Sequence, residues 1–141
     1  MKRFLALGCL MAFGILLYGC ASRQGARVHY ELAREYHLHG SSDKAIEEYK
    51  KVLELDPKYP EAHYNIGVIL YYQGKIDDAI EEFLQEIDIN PLFSDVHYNL
   101  ALAYYRKGEL DKALSKLNET LKLNPKDDEA RRLRKMIEDA R

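Results

Sequence analysis

Apolar and polar residues recur at a helical period along this chain, and the same pattern returns three times. Ala79, Ile80, Phe83, Leu84 and Ile87 form a stripe at three- and four-residue spacing between acidic and polar neighbours, which predicts an amphipathic helix. Ala45, Ile46, Tyr49 and Leu53 lay down the same stripe 34 residues earlier, and Ala113, Leu114, Leu117 and Leu121 lay it down 34 residues later. Ahead of each stripe runs another segment of helical character, Glu61–Gln73 in the middle unit, and each such segment stops at a glycine: Gly40, Gly74 and Gly108. Glycine suits a helix end that needs positive φ. Asp43, Asp77 and Asp111 follow, where a carboxylate favours the positive end of the next helix. Asp56-Pro57, Asn90-Pro91 and Asn124-Pro125 close the units, because proline turns the residue before it away from helical geometry.

His29-Tyr30, His63-Tyr64 and His97-Tyr98 keep the same step without an insertion. The units are therefore 26–59, 60–93 and 94–127. After them, Ala130, Leu133, Met136, Ile137 and Ala140 give residues 128–141 one apolar face, while Arg131, Arg132, Arg134 and Lys135 face water. A stack of repeats needs such a polar terminal cap. Helix, glycine turn, helix and proline at this period resemble the tetratricopeptide repeat. The middle unit carries the detail: the Ile66-Gly67 pair, the turn glycine, small Ala79, aromatic Phe83 and terminal Pro91. Leu32-Ala33, Tyr36, Ala45 and Tyr49 in the first unit, and Leu100-Ala101, Tyr104 and Ala113 in the third, stand in register with it. The resemblance implies an all-α solenoid of three helix-turn-helix repeats plus a C-terminal capping helix.

It also implies a groove, lined by the first helix of each pair, that binds a protein or peptide. On this chain the lining slots fall on Tyr30 and Arg34, on Tyr64, Asn65, Tyr71 and Tyr72, and on Tyr98, Asn99, Tyr105 and Arg106. Tyrosine offers contact area and a hydroxyl at little entropic cost, although the same tyrosines fit the family's ordinary packing. Arg34 and Arg106 depart from that packing pattern and are the better candidates for specificity. Some members grip a chaperone's C-terminal carboxylate with two lysines, an arginine and two asparagines. Only Asn65 matches here; Tyr30, Arg34, Asp95 and Asn99 occupy the other slots, so a chaperone tail is disfavoured.

The N-terminal residues have a different logic. Lys2 and Arg3 precede an apolar run from Phe4 to Tyr18, short of the roughly 20 residues a membrane-spanning helix needs and suited to a secretory signal. Leu17-Tyr18-Gly19-Cys20 resembles the lipobox of bacterial lipoproteins, with Tyr18 bulkier than that slot usually holds. The resemblance implies cleavage after residue 19, a diacylglyceryl group on Cys20, and a short lipidated linker over 20–25. Two or more acyl chains make such an anchor firm. Ala21 follows where an aspartate would resemble an inner-membrane retention signal, so the outer membrane, facing the periplasm, is the expected address. An extended chain from Ala21 to Ala26 would reach about 20 Å.

Charge and chemistry narrow the function. Net charge is −2, and losing Lys2 and Arg3 makes the remainder −4, so no basic stripe favours nucleic acid. Both cysteines, Cys9 and Cys20, lie in the N-terminal segment, which leaves no disulfide or cysteine–metal site in the repeats. His29, His63 and His97 share one register but belong to helices about 8–10 Å apart, too far for one metal ion without further ligands. No nucleophile–base motif or phosphate loop is present, and the aspartates and glutamates read as solvated helix surface. The expectation is therefore a non-enzymatic adaptor in the bacterial envelope that needs no cofactor or metal and binds a segment of another envelope protein. Pilus or secretin assembly and cell-wall enzyme scaffolding fit its resemblance to other lipoproteins of this repeat type. A self-associating structural subunit is the alternative, and a metal-binding or hydrolytic enzyme is the third and least supported.

Overall fold

The computed structural model describes residues 22–140, which contain helices and turns and no strand. The chain divides into two compact units between Tyr59 and Pro60. In the first, α1 covers residues 22–38 and α2 is Ser42–Leu55. Ala26, Ala33, Ala45, Tyr49 and Val52 are buried there, and Tyr30 packs its ring against Tyr49 at 5.5 Å and Tyr59 at 5.0 Å. The second unit holds α3 (Ala62–Tyr72), α4 (Ile76–Ile89), α5 (Ser94–Arg106), α6 (Leu110–Leu123) and α7 (Asp128–Asp139). Each of these helices packs on the next.

Local chemistry sets the ends of the helices. At Gly74 the backbone has φ +79°, and Lys75 N–H donates back to the Leu70 carbonyl at 3.0 Å. That closing turn satisfies a carbonyl the helix leaves open, in a conformation only glycine adopts cheaply. Gly40 and Gly108 repeat it at φ +73° and +79°. The residues before the prolines leave helical geometry as expected: Asp56, Asn90 and Asn124 have φ of −143°, −133° and −129°. Asp43, Asp77 and Asp111 stand in the first turns of α2, α4 and α6, whose N-cap residues make no side-chain cap bond. Their charge favours the helix dipole, and Asp77 Oδ1 also accepts from Lys107 Nζ at 2.6 Å. Asp127, by contrast, caps α7 outright by accepting the Ala130 N–H at 2.9 Å.

Small residues let the paired helices approach. A Cβ built on Gly67 would sit 2.7 Å from two ring carbons of Phe83, which is itself fully buried. The C-terminal helix is seated by Ala130, Leu133 and Ile137 against Ala101, Ala113 and Leu117, with Tyr98, Leu102 and Tyr104 packed around that cluster. One boundary differs from expectation. α1 is already helical at residue 22, inside the segment read as a linker over 20–25. A helix rises about 1.5 Å per residue where extended chain gains about 3.3 Å, so the intervening reach is shorter than an open linker's.

Candidate functional site

The first helix of each repeat is fixed by its own second helix before it can present anything. His63 Nδ1 on α3 donates to Glu82 Oε2 on α4 at 2.7 Å, and His29 on α1 makes the same bond to Glu48 on α2 at 2.5 Å. Both pairs are nineteen residues apart. In the third repeat that partner position is Lys116, which cannot accept. His97, 6% exposed, instead donates from Nε2 to the Pro91 carbonyl at 2.9 Å and ties α5 to the turn before it. The three histidines therefore go to separate partners. Among the described residues, no group of three or more His, Cys, Asp or Glu side chains could hold a metal.

A second fixing group corrects the reading of all acidic residues as solvated surface. Glu48 is 8% exposed and Glu86 is fully buried. Glu86 accepts the backbone N–H of Glu61 at 3.1 Å and of Tyr64 at 3.3 Å, so a side chain of α4 satisfies open donors at the start of α3. Burial pushes its carboxyl up from the ordinary glutamate value, while the two backbone N–H groups pull the other way. A signal for this existed in the repeat: the equivalent positions are Val52 and Thr120, so Glu86 is a charge in an otherwise uncharged column.

Outside this framework α3 and α5 share a surface. Asn99 Nδ2 donates to the Tyr64 hydroxyl at 3.2 Å and to the Asp95 carbonyl at 2.9 Å, and Asn65 Nδ2 donates to the Glu61 carbonyl at 2.7 Å. The Tyr64 ring lies 4.9 Å from Phe93 and 6.2 Å from Phe83. Arg106 Nη1 donates to the Tyr71 carbonyl at 3.3 Å, and its guanidinium stands 5.2 Å from the Tyr71 ring centroid. Arg106 is thus already engaged in joining the two helices. Tyr72 and Tyr105 are the exposed aromatics of this face, at 80% and 39%. The hydroxyls of Tyr64 and Tyr98 are both harder to ionise than a free tyrosine. Burial is the first cause for each, followed by Asp95 at Tyr64 and Glu129 at Tyr98.

Eight of the groove positions expected from sequence therefore lie on α3 and α5. They divide into Tyr64, Tyr71, Tyr98, Asn65, Asn99 and Arg106, which are occupied with packing or hydrogen bonds, and Tyr72 and Tyr105, which face outward. Tyr30 and Arg34 belong to the first unit, where Tyr30 stacks on its neighbours and Arg34 pairs with Glu31 at 3.4 Å. Cys20 lies outside the described residues. No described helix is long and apolar enough to cross a membrane. The arrangement offers a rigid, chemically mixed surface suited to holding an extended or helical segment.

Comparison with known proteins agrees with this architecture. A family model described as TPR repeat matches residues 33–73, and another described as tetratricopeptide repeat matches residues 64–128. A search of curated proteins finds no significant match. Among solved structures, the first TPR of Spaghetti (RPAP3) bound to an HSP90 peptide superimposes with a TM-score of 0.80 at 24% identity, over 84% of this chain and 94% of that one. MamA gives 0.78 at 27% identity, over 82% of this chain and 67% of MamA. The TPR domain of OM64 from Arabidopsis gives 0.81 at 13% identity, over 85% and 99%.

Proposed function

Since the chain belongs to the tetratricopeptide-repeat family, whose members are protein-interaction scaffolds, we propose that it is an envelope adaptor, lipid-anchored through Cys20, that holds a segment of another membrane-associated protein. The observation that carries the binding half is the α3–α5 face. Its framework is locked by Glu86, His63 and the Asn99–Tyr64 bond, while Tyr72 and Tyr105 stay outward. A surface that is ordered before its partner arrives spends less binding energy on ordering itself. Exposed aromatics on a rigid support are the groups that most often dominate an interface.

The anchoring half rests on Lys2, Arg3, the apolar run and Leu17-Tyr18-Gly19-Cys20, with the outer membrane facing the periplasm as its address. No step of this role calls for a nucleophile, metal or cofactor. The chaperone peptide seen in RPAP3 belongs to that protein, and Asp95 and Asn99 here replace the cationic grip such a tail would need.

Two measurements test the proposal. Cys20→Ala should abolish incorporation of labelled palmitate, and continued labelling would refute the anchor. Crosslinking in the native host, read by mass spectrometry, should lose a defined partner in the Tyr72→Ala/Tyr105→Ala variant. Tyr98 is a poorer choice for substitution because it packs against the α5–α7 core. An unchanged partner set in the double variant would remove this face from the function.

A further inference from the structure

The face of the second unit continues from α3 and α5 onto α7, and two rows cross it in register. Glu61, Asp95 and Glu129 follow one another at the repeat spacing, all three exposed, at the starts of α3, α5 and α7. Val68, Leu102 and Met136 form the second row, seven residues further along each helix. Seven residues are two turns, so the rows stand about 10 Å apart along the helix axes. Val68 and Leu102 are half-buried and Met136 is 49% exposed.

Between the rows the surface is stiff. Asn99 bridges the Tyr64 hydroxyl and the Asp95 carbonyl, which holds the acidic edge of α5 against α3. Burial first, then the charges of Asp95 and Glu61, makes the Tyr64 hydroxyl harder to ionise, and burial first, then Glu129 and Asp127, does the same at Tyr98. Two cations border the edge: Arg106 lies beyond the apolar row on the Tyr71 ring, and Arg132, three residues after Glu129, donates from Nε to the Asp128 carbonyl and keeps its charge. The edge is therefore most acidic at Glu61 and Asp95.

An edge of one sign beside an apolar row fits a partner with the opposite sign in the same relation. We propose that this face takes a cationic amphipathic segment of the partner protein, with lysine or arginine side chains along the Glu61–Asp95–Glu129 edge and apolar side chains on the Val68–Leu102–Met136 row. The inference rests on the adaptor reading above and specifies the chemistry of what the adaptor holds. The acidic edge selects and orients more than it tightens, because exposed ion pairs contribute modestly. The apolar row supplies the hold. An acidic segment placed here would set like charges together and would be rejected.

The test is selection from a random peptide library displayed on phage, run on the full chain in a neutral detergent. Recovered sequences should be enriched in lysine or arginine beside apolar residues, and a synthetic peptide of the selected sequence should bind about five- to tenfold more weakly to Asp95→Asn/Glu129→Gln. The same peptide should bind Glu81→Gln/Asp88→Asn, altered on α4, like the unsubstituted chain. Acidic enrichment, absence of any enrichment, or equal weakening in both double variants would overturn the proposal. Enrichment that ignores charge yet is lost in Tyr72→Ala/Tyr105→Ala would also overturn it while leaving the adaptor face intact. Enrichment indifferent to every one of these substitutions would remove both.

Discussion

Gly67 and Phe83 show how one side chain constrains its repeat. Replacing glycine by alanine inside a helix ordinarily stabilises it by up to about 1 kcal/mol. Here the new methyl would enter the ring of a buried phenylalanine at 2.7 Å, and overpacking of a filled core costs about 1–3 kcal/mol. Gly67→Ala should therefore lower stability, read as a reduced urea midpoint; a raised midpoint would show that Phe83 can move aside. Glu86 gives a prediction of a different kind. Its folded carboxyl titrates above the ordinary value of 4.5, first because of burial. The folded state accordingly favours the protonated form, and that contribution to stability is lost as pH rises above 4.5 through the folded value. Glu86→Gln removes the titration while losing part of the cap. Its stability relative to the unsubstituted protein should improve as pH rises above 4.5 in urea melts, and parallel curves would contradict the assignment.

Among the elements, α7 is the most informative. It occupies the place of a fourth first helix, but the positions equivalent to His63, Ile66, Gly67 and Leu70 are Arg131, Arg134, Lys135 and Glu138. The face that would receive a partner helix is therefore charged, with Arg131 paired to Asp128 at 3.2 Å and Arg134 to Glu138 at 3.7 Å. Covering it would desolvate those groups, so α7 terminates the stack. The chain should not assemble end to end through α7. Light scattering across micromolar concentrations should show a single mass, and concentration-dependent oligomers that vanish in a Lys135→Glu variant would contradict this.

For the whole molecule, the repeat alone makes the architecture legible. Glycines, prolines and apolar stripes at one period define helix ends and buried faces, and such a period survives wherever equivalent positions do equivalent work. It says little about positions that stop being equivalent. Glu86 belongs to a column with Val52 and Thr120, and Lys116 breaks a histidine–glutamate pairing that the first two repeats keep. Such departures depend on neighbours in space, which a period does not report. For the same reason the candidate site was legible as a set of residues but not as a division of labour. Sequence set Arg106 apart from the tyrosines as the better candidate for specificity, whereas the fold leaves Tyr72 and Tyr105 outward and turns Arg106 onto Tyr71.

The early start of α1 has a consequence for how such an adaptor would search for its partner. With residue 22 already helical, a lipid on Cys20 would be joined to the folded body by only about 7 Å of chain at full stretch. That is a mooring without rope. The body would patrol a disc on the membrane rather than a volume above it, and encounters would be two-dimensional, with partners found by lateral diffusion. Inserting ten glycine and serine residues after Ala21 would give a coil with an end-to-end distance of about 17 Å. This would dilute the adaptor away from a membrane-bound partner and should lower crosslinking yield without altering the fold; an undiminished yield would mean that closeness to the bilayer is not what the short tether provides.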